Sequence, residues 1–139
     1  MRALRERPRK GRGTPPSPGT SQPSTSQDAW SVSFLDAAVV AEVEAWPIRL
    51  RAALDRIVAR IETQGLMSLT EEHAKHLRGR IWELRARADG SIGRALYVTV
   101  TGRRLIIVLC AIKKTQATPK RWIELAEARA QDLDIGGSS

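Results

Sequence analysis

The chemistry open to this 139-residue chain is that of cations. Between positions 75 and 121 stand twelve Lys or Arg against Glu83 and Asp89, a net charge of +10. Arg85 and Arg94 fall in successive segments of strand character, where two guanidinium groups can clamp phosphate oxygens as a bidentate fork. Lys113 and Lys114 stand side by side after an apolar run. Adjacent ammonium groups repel each other, which favours loss of one proton and suits one of them to proton transfer. No His and no pair of carboxylates occupies the strand positions, so conventional imidazole or two-carboxylate acid–base catalysis has no seat there. Clustered Lys and Arg on several strands form the footprint of a polyanion site, since they neutralise phosphates and release counterions. The plainer alternative is a solvated basic face.

Positioning these groups requires a sheet. Ile81-Trp82-Glu83-Leu84-Arg85 alternates in type, residues 95–101 are β-branched and aromatic, and residues 105–112 form an apolar run of strand length. Turn chemistry separates them: Ala88-Asp89-Gly90-Ser91 after the first, Thr101-Gly102-Arg103 between the second and third. The pattern predicts an antiparallel meander, with the 105–112 strand interior and covered on both faces. Before it, Trp30-Ser31-Val32-Ser33-Phe34 alternates as a short strand. Asp36 is placed to cap a helix over 37–46, and Pro47 opens a second helix. In that second helix Leu50, Leu54, Ile57, Val58 and Ile61 make one stripe, ended by Gly65 in the left-handed helical region. Residues 66–79 read as a polar connector. Thr118 and Pro119 read as N-cap and first residue of a closing helix, with Trp122, Ile123, Leu125, Ala126 and Leu133 inward.

Totals bound the rest. Residues 1–27 are Pro-, Ser-, Thr- and Gly-rich and contribute +5 of the +8 net charge, so a disordered basic tail is expected there. The flanks of the cationic stretch are acidic: residues 28–74 sum to −4 and 122–139 to −3. The one cysteine, Cys110, excludes a disulfide framework and fits a reducing cytosol. No stretch approaches the roughly 20 apolar residues of a membrane span. His73 and His76 are three apart, but a metal site needs further ligands that the sequence does not supply, and neither metal nor cofactor is expected.

Three ordered motifs carry a resemblance: Lys75-His76-Leu77-Arg78-Gly79-Arg80-Ile81-Trp82-Glu83-Leu84-Arg85, then Arg94-Ala95-Leu96-Tyr97, then Lys113-Lys114-Thr115-Gln116-Ala117-Thr118-Pro119. Together with Phe34-Leu35-Asp36 they resemble the RelE/HigB-like type II toxins, in particular the phage-derived branch, over about residues 30–133. The resemblance implies an α+β, RelE-like fold: an N-terminal strand and helical hairpin packed on a curved antiparallel sheet, then a C-terminal helix. The domain would span 28–135, between a tail over 1–27 and a flexible end over 136–139.

The same resemblance implies an endoribonuclease that cleaves mRNA on the ribosome by 2′-hydroxyl attack without metal. Its partner would be a cognate antitoxin, helix-turn-helix in type, and the complex would bind operator DNA. The implied location is the cytoplasm. Arg85, Arg94, Lys113 and Lys114 are carried over as the catalytic set, with Lys75, Arg78, Arg80, Arg87 and Lys120 contacting RNA; Tyr97 is a weaker candidate that its strand position can turn into the core. Similar toxins often read H-A-F where this chain has Leu109-Cys110-Ala111, which removes an aromatic and an imidazole. That departure motivates a competing reading: a non-catalytic basic nucleic-acid-binding or regulatory module derived from such a toxin. Glu83 then serves only as a salt-bridge partner that holds the arginine.

Overall fold

The computed structural model describes residues 29–113 and 117–133. The expected tails over 1–27 and 136–139, and Lys114 of the catalytic set, lie outside the described residues. In chain order the elements are β1 (Ser31–Phe34), α1 (Ala37–Glu44), α2 (Ile48–Gln64), a single 3₁₀ turn (Leu66–Ser68), β2 (Ala74–Arg78), β3 (Ile81–Ala88), β4 (Ser91–Val100), β5 (Arg104–Lys113) and α3 (Lys120–Ala130). The strands form one sheet in the order β1-β5-β4-β3-β2. The α+β architecture is as expected, with one difference in sense: β1 pairs parallel with β5, Ser31 opposite Arg104 through Phe34 opposite Ile107, while all other pairs are antiparallel.

Two corrections concern the segment read as a polar connector and the glycine before it. It contains the edge strand β2, whose Ala74, Lys75 and His76 pair with Leu84, Glu83 and Trp82. An edge strand buries little of its side-chain surface, so its sequence lacks the apolar period that betrays interior strands. Gly65 does take a positive φ of 92°, but its ψ of 155° is extended and not left-handed helical. The Gly65 N–H still bonds the Ile61 carbonyl at 2.8 Å.

Hairpin chemistry works as read. Asp89 and Gly90 have φ of 53° and 80°, the two positive values that a tight β3–β4 turn demands. Asp36 caps α1 through Oδ1, which accepts from the Val39 N–H at 3.1 Å. Leu50, Leu54, Ile57 and Ile61 of α2 are buried with Trp46, Leu84, Ala95, Tyr97 and Ile107 in a core under the helical hairpin. On the opposite face α3 seals a second core of Ile81, Leu96, Val98, Val108 and Ala126. β5 is thus interior and covered on both faces, as its unbroken apolar run requires. Leu125 of α3, expected inward, is exposed.

A clasp ties the two layers at the β1 edge. β1 stops at Phe34, so beyond it the β5 backbone needs other partners. Glu42 of α1 accepts from the Cys110 N–H at 2.9 Å, while Arg129 of α3 donates to the Val108 carbonyl at 2.9 Å. The two side chains close on each other through paired bonds of 3.1 and 2.7 Å.

Candidate functional site

Strand register puts Arg85 directly opposite Arg94 across β3 and β4. Both project to the α3 face, as does Glu83, two residues before Arg85 on the same strand. All three are buried, with Glu83 and Arg94 at 0% exposure and Arg85 at 7%. Cations removed from water need a charged, hydrogen-bonded partner, and Glu83 is that partner for both. Arg85 Nε donates to Glu83 Oε1 at 2.6 Å, and Arg94 NH1 donates to the same oxygen at 3.2 Å. The second oxygen, Oε2, accepts from the Thr118 hydroxyl at 2.5 Å, whose oxygen in turn accepts from Arg94 NH1 at 3.0 Å.

This arrangement changes two expectations. The arginines converge, but on a carboxylate inside the protein and not as a fork open to solvent. Thr118 does not cap α3; its hydroxyl is engaged with Glu83, and Pro119 takes the cap position before a helix that begins at Lys120. The start of α3 is therefore anchored to the sheet through a buried four-member network.

The remaining cations divide between bracing and display. Arg78 makes a bidentate pair with Glu127 of α3, Nε to Oε2 at 3.1 Å and NH2 to Oε1 at 2.6 Å. The Arg78 guanidinium holds the Glu127 carboxyl below its usual range, and both remain well exposed. Arg80 donates to the Ala130 carbonyl at 2.6 Å and so closes the C-terminal end of the helix. Arg87 reaches back to the Glu72 carbonyl at 3.1 Å. Lys75 on β2 and Lys120 at the head of α3 are exposed. Lys113 is half-buried at the end of β5, two residues beyond Ala111, the cross-strand partner of Arg94. Alternation along β5 puts Lys113 on the same face as Arg94. Lys113, Arg94, Arg85 and the Thr118 segment thus share one region, whereas Arg78 and Arg80 serve the far part of α3 and Arg87 belongs to the strand end beyond β2.

Other candidates resolve simply. Tyr97 lies in the hairpin-side core at 1% exposure, and burial drives its hydroxyl well above the ordinary phenol range. Cys110 is buried, and desolvation pushes its thiol up to about 12, which leaves it an inert packing group. His76 Nε2 is 2.7 Å from the Gly79 carbonyl, and its ring sits 4.9 Å from that of Trp82. Among the described residues no group of three His, Cys, Asp or Glu could hold a metal ion. Sequence reasoning misses the role of Thr118 on Glu83, for which its position between Lys113 and Pro119 in the third motif is the one signal.

A mixed sheet that buries two arginines on a carboxylate beneath one helix, with lysines at the rim, defines a basic α+β protein. Residues 41–131 match the family model described as phage-derived protein Gp49-like (DUF891). The chain belongs to this Gp49-like family, a RelE/HigB-like toxin family. No curated protein matches it. Among solved structures it is similar to the archaeal RelE–RelB complex of Pyrococcus horikoshii OT3, with 15% identity, a TM-score of 0.44, and coverage of 64% of this chain and 99% of that one.

Proposed function

We propose that the chain is the toxin of a type II toxin–antitoxin system and an endoribonuclease that cuts mRNA on the ribosome without a metal ion. The observation that carries this reading is the family match over residues 41–131, which spans every cation assigned to the site. In the reaction the 2′-hydroxyl loses its proton and its oxygen bonds the adjacent phosphorus. The bond from phosphorus to the 5′-oxygen breaks, and that oxygen gains a proton, leaving a 2′,3′-cyclic phosphate. Lys113 and Lys114 are the groups suited to the two proton transfers. Arg85 and Arg94, held on Glu83, act here as a source of positive potential beneath the scissile phosphate. Lys75, Arg78, Arg80, Arg87 and Lys120 supply RNA contacts in this reading. The partner is a helix-turn-helix antitoxin whose complex with the toxin binds operator DNA, and the site of action is the cytoplasm. No helix among the described residues is long and apolar enough to cross a membrane.

Burial of both arginines on Glu83 favours a second reading, the non-catalytic basic nucleic-acid-binding or regulatory module. Induced expression separates the two. The enzyme arrests growth and leaves mRNA fragments ending in cyclic phosphate, and Lys113→Ala, a half-buried position, lowers cleavage by about 10²–10⁴-fold. Salt-dependent RNA binding with intact transcripts would decide for the module. Co-expression with an adjacent helix-turn-helix protein restores growth if that protein is the antitoxin.

A further inference from the structure

A cavity of about 230 Å³ opens on the face opposite the Glu83 network, between α2, the segment leading into β2 and the end of β3. Arg56, Arg60, Arg87 and His73 line it over a floor of Ala53 and Ile57. Arg56 and Arg60 are four residues apart, so α2 projects them from one face. Two of the three guanidinium groups are already oriented by backbone carbonyls: Arg60 NH2 donates to Ser68 at 3.0 Å, and Arg87 NH1 donates to Glu72 at 3.1 Å. A carbonyl orients a guanidinium without neutralising it, and among the described residues each head keeps four of its five donors. Among the described residues no carboxylate lies within salt-bridge distance of Arg56, Arg60 or Arg87. Glu72 contributes the one acidic side chain in the lining.

Three like charges around one hollow repel each other unless an anion sits among them. The cavity has room for several water molecules, enough for one phosphoryl group with its hydration partly stripped. We infer that this cleft binds a phosphate group, through Arg56, Arg60 and Arg87, with His73 as a further donor. Pre-oriented forks favour the tetrahedral array of phosphate oxygens over a single-point anion such as chloride. Whether the phosphate is free or belongs to a nucleic-acid backbone is decided by the probe. Apart from Arg87, which is also counted among the RNA contacts above, the site stands on a different face from the Lys113 region, and it does not require that the chain cut RNA.

The test uses the full chain, ¹⁵N-labelled, titrated with inorganic phosphate at constant ionic strength set by chloride. A parallel titration uses a 2′-O-methyl tetranucleotide without terminal phosphates, which has phosphodiesters but no 2′-hydroxyl to attack. Backbone amides of residues 53–60, 72–73 and 86–87 are expected to shift with one or both ligands. Phosphate alone identifies a small-anion site, and the oligonucleotide alone identifies a backbone site. Removing two charge-assisted partners in Arg56→Gln/Arg60→Gln weakens binding by about tenfold for each arginine, about 100-fold together. Arg49→Gln, outside the cavity, removes a like charge and leaves binding within about twofold. Absence of shifts at these amides with either ligand, or equal weakening by Arg49→Gln, overturns the inference.

Discussion

Glu83→Gln tests the buried network most directly, because it removes one charge while keeping the shape of the side chain. Among the described residues the wild-type cluster sets one carboxylate against two guanidinium groups, all with side-chain exposure of 8% or less. Glutamine still offers an oxygen to Arg85 and Arg94, and an amide N–H to Thr118. What it cannot supply is the negative charge that makes burial of two cations tolerable. Charge-assisted hydrogen bonds contribute about 1.5–3 kcal/mol each against about 1 for neutral ones, and breaking a buried pair by removing one partner costs about 3–5 kcal/mol. A loss of about 3 kcal/mol follows, a large share of the 5–15 kcal/mol typical of a domain and equivalent to a drop of roughly 12–20 °C in Tm. Urea unfolding followed by far-UV circular dichroism measures it, with urea preferred because it adds no salt. Buried charges are little screened, so the loss should persist at high salt. The double variant Glu83→Gln/Arg94→Met restores the original excess of one cation and should recover part of the stability. A Glu83→Gln loss below about 1 kcal/mol, or one abolished by 1 M salt, would refute the assignment of Glu83 as the charge that holds both arginines.

Two further outcomes follow from packing and titration. A Cβ on Gly93 would lie 2.5 and 2.6 Å from ring carbons of Trp46 and 3.1 Å from Leu50 Cγ. Gly93→Ala should therefore cost about 1–3 kcal/mol in urea unfolding, and a neutral result would mean the α1–α2 junction yields more easily than a packed core does. For Cys110, burial raises the folded thiol from its ordinary value of 9.0 to about 12, so the folded state keeps a proton that the unfolded chain releases. Its contribution is whole below pH 9.0 and is lost as pH rises toward 12. Thermal unfolding should show this decline, Cys110→Ala should flatten its onset, and a thiol reagent at pH 8 should label the protein only after denaturation. Rapid labelling of the native protein would contradict the burial.

Interior elements were legible because their residues face one environment along a whole span. The 105–112 run could only be a strand covered twice, and Asp89-Gly90 could only be a tight turn. β2 was not legible, since Lys75, His76 and Arg78 are solvent-facing and pair on one side alone. The neighbourhood of Arg85 and Arg94 followed from strand order, but their burial did not. Arginine is ordinarily a surface residue, and the placement of Glu83 and Thr118 on the same face helps make an interior position tolerable. The Arg56–Arg60–Arg87 hollow escaped notice for a related reason: it joins an acidic segment to the edge of a basic one, and only the packing of α2 on β3 brings them together.

The parallel pairing of β1 with β5 has a consequence in time. Ser31–Phe34 is synthesised some seventy residues before its partners at 104–107. At about 5–20 residues per second the first strand waits roughly 4–15 s for its mate. Throughout that interval the helical hairpin has no finished sheet to cover, so the sheet can close only once residues 104–107 have been made.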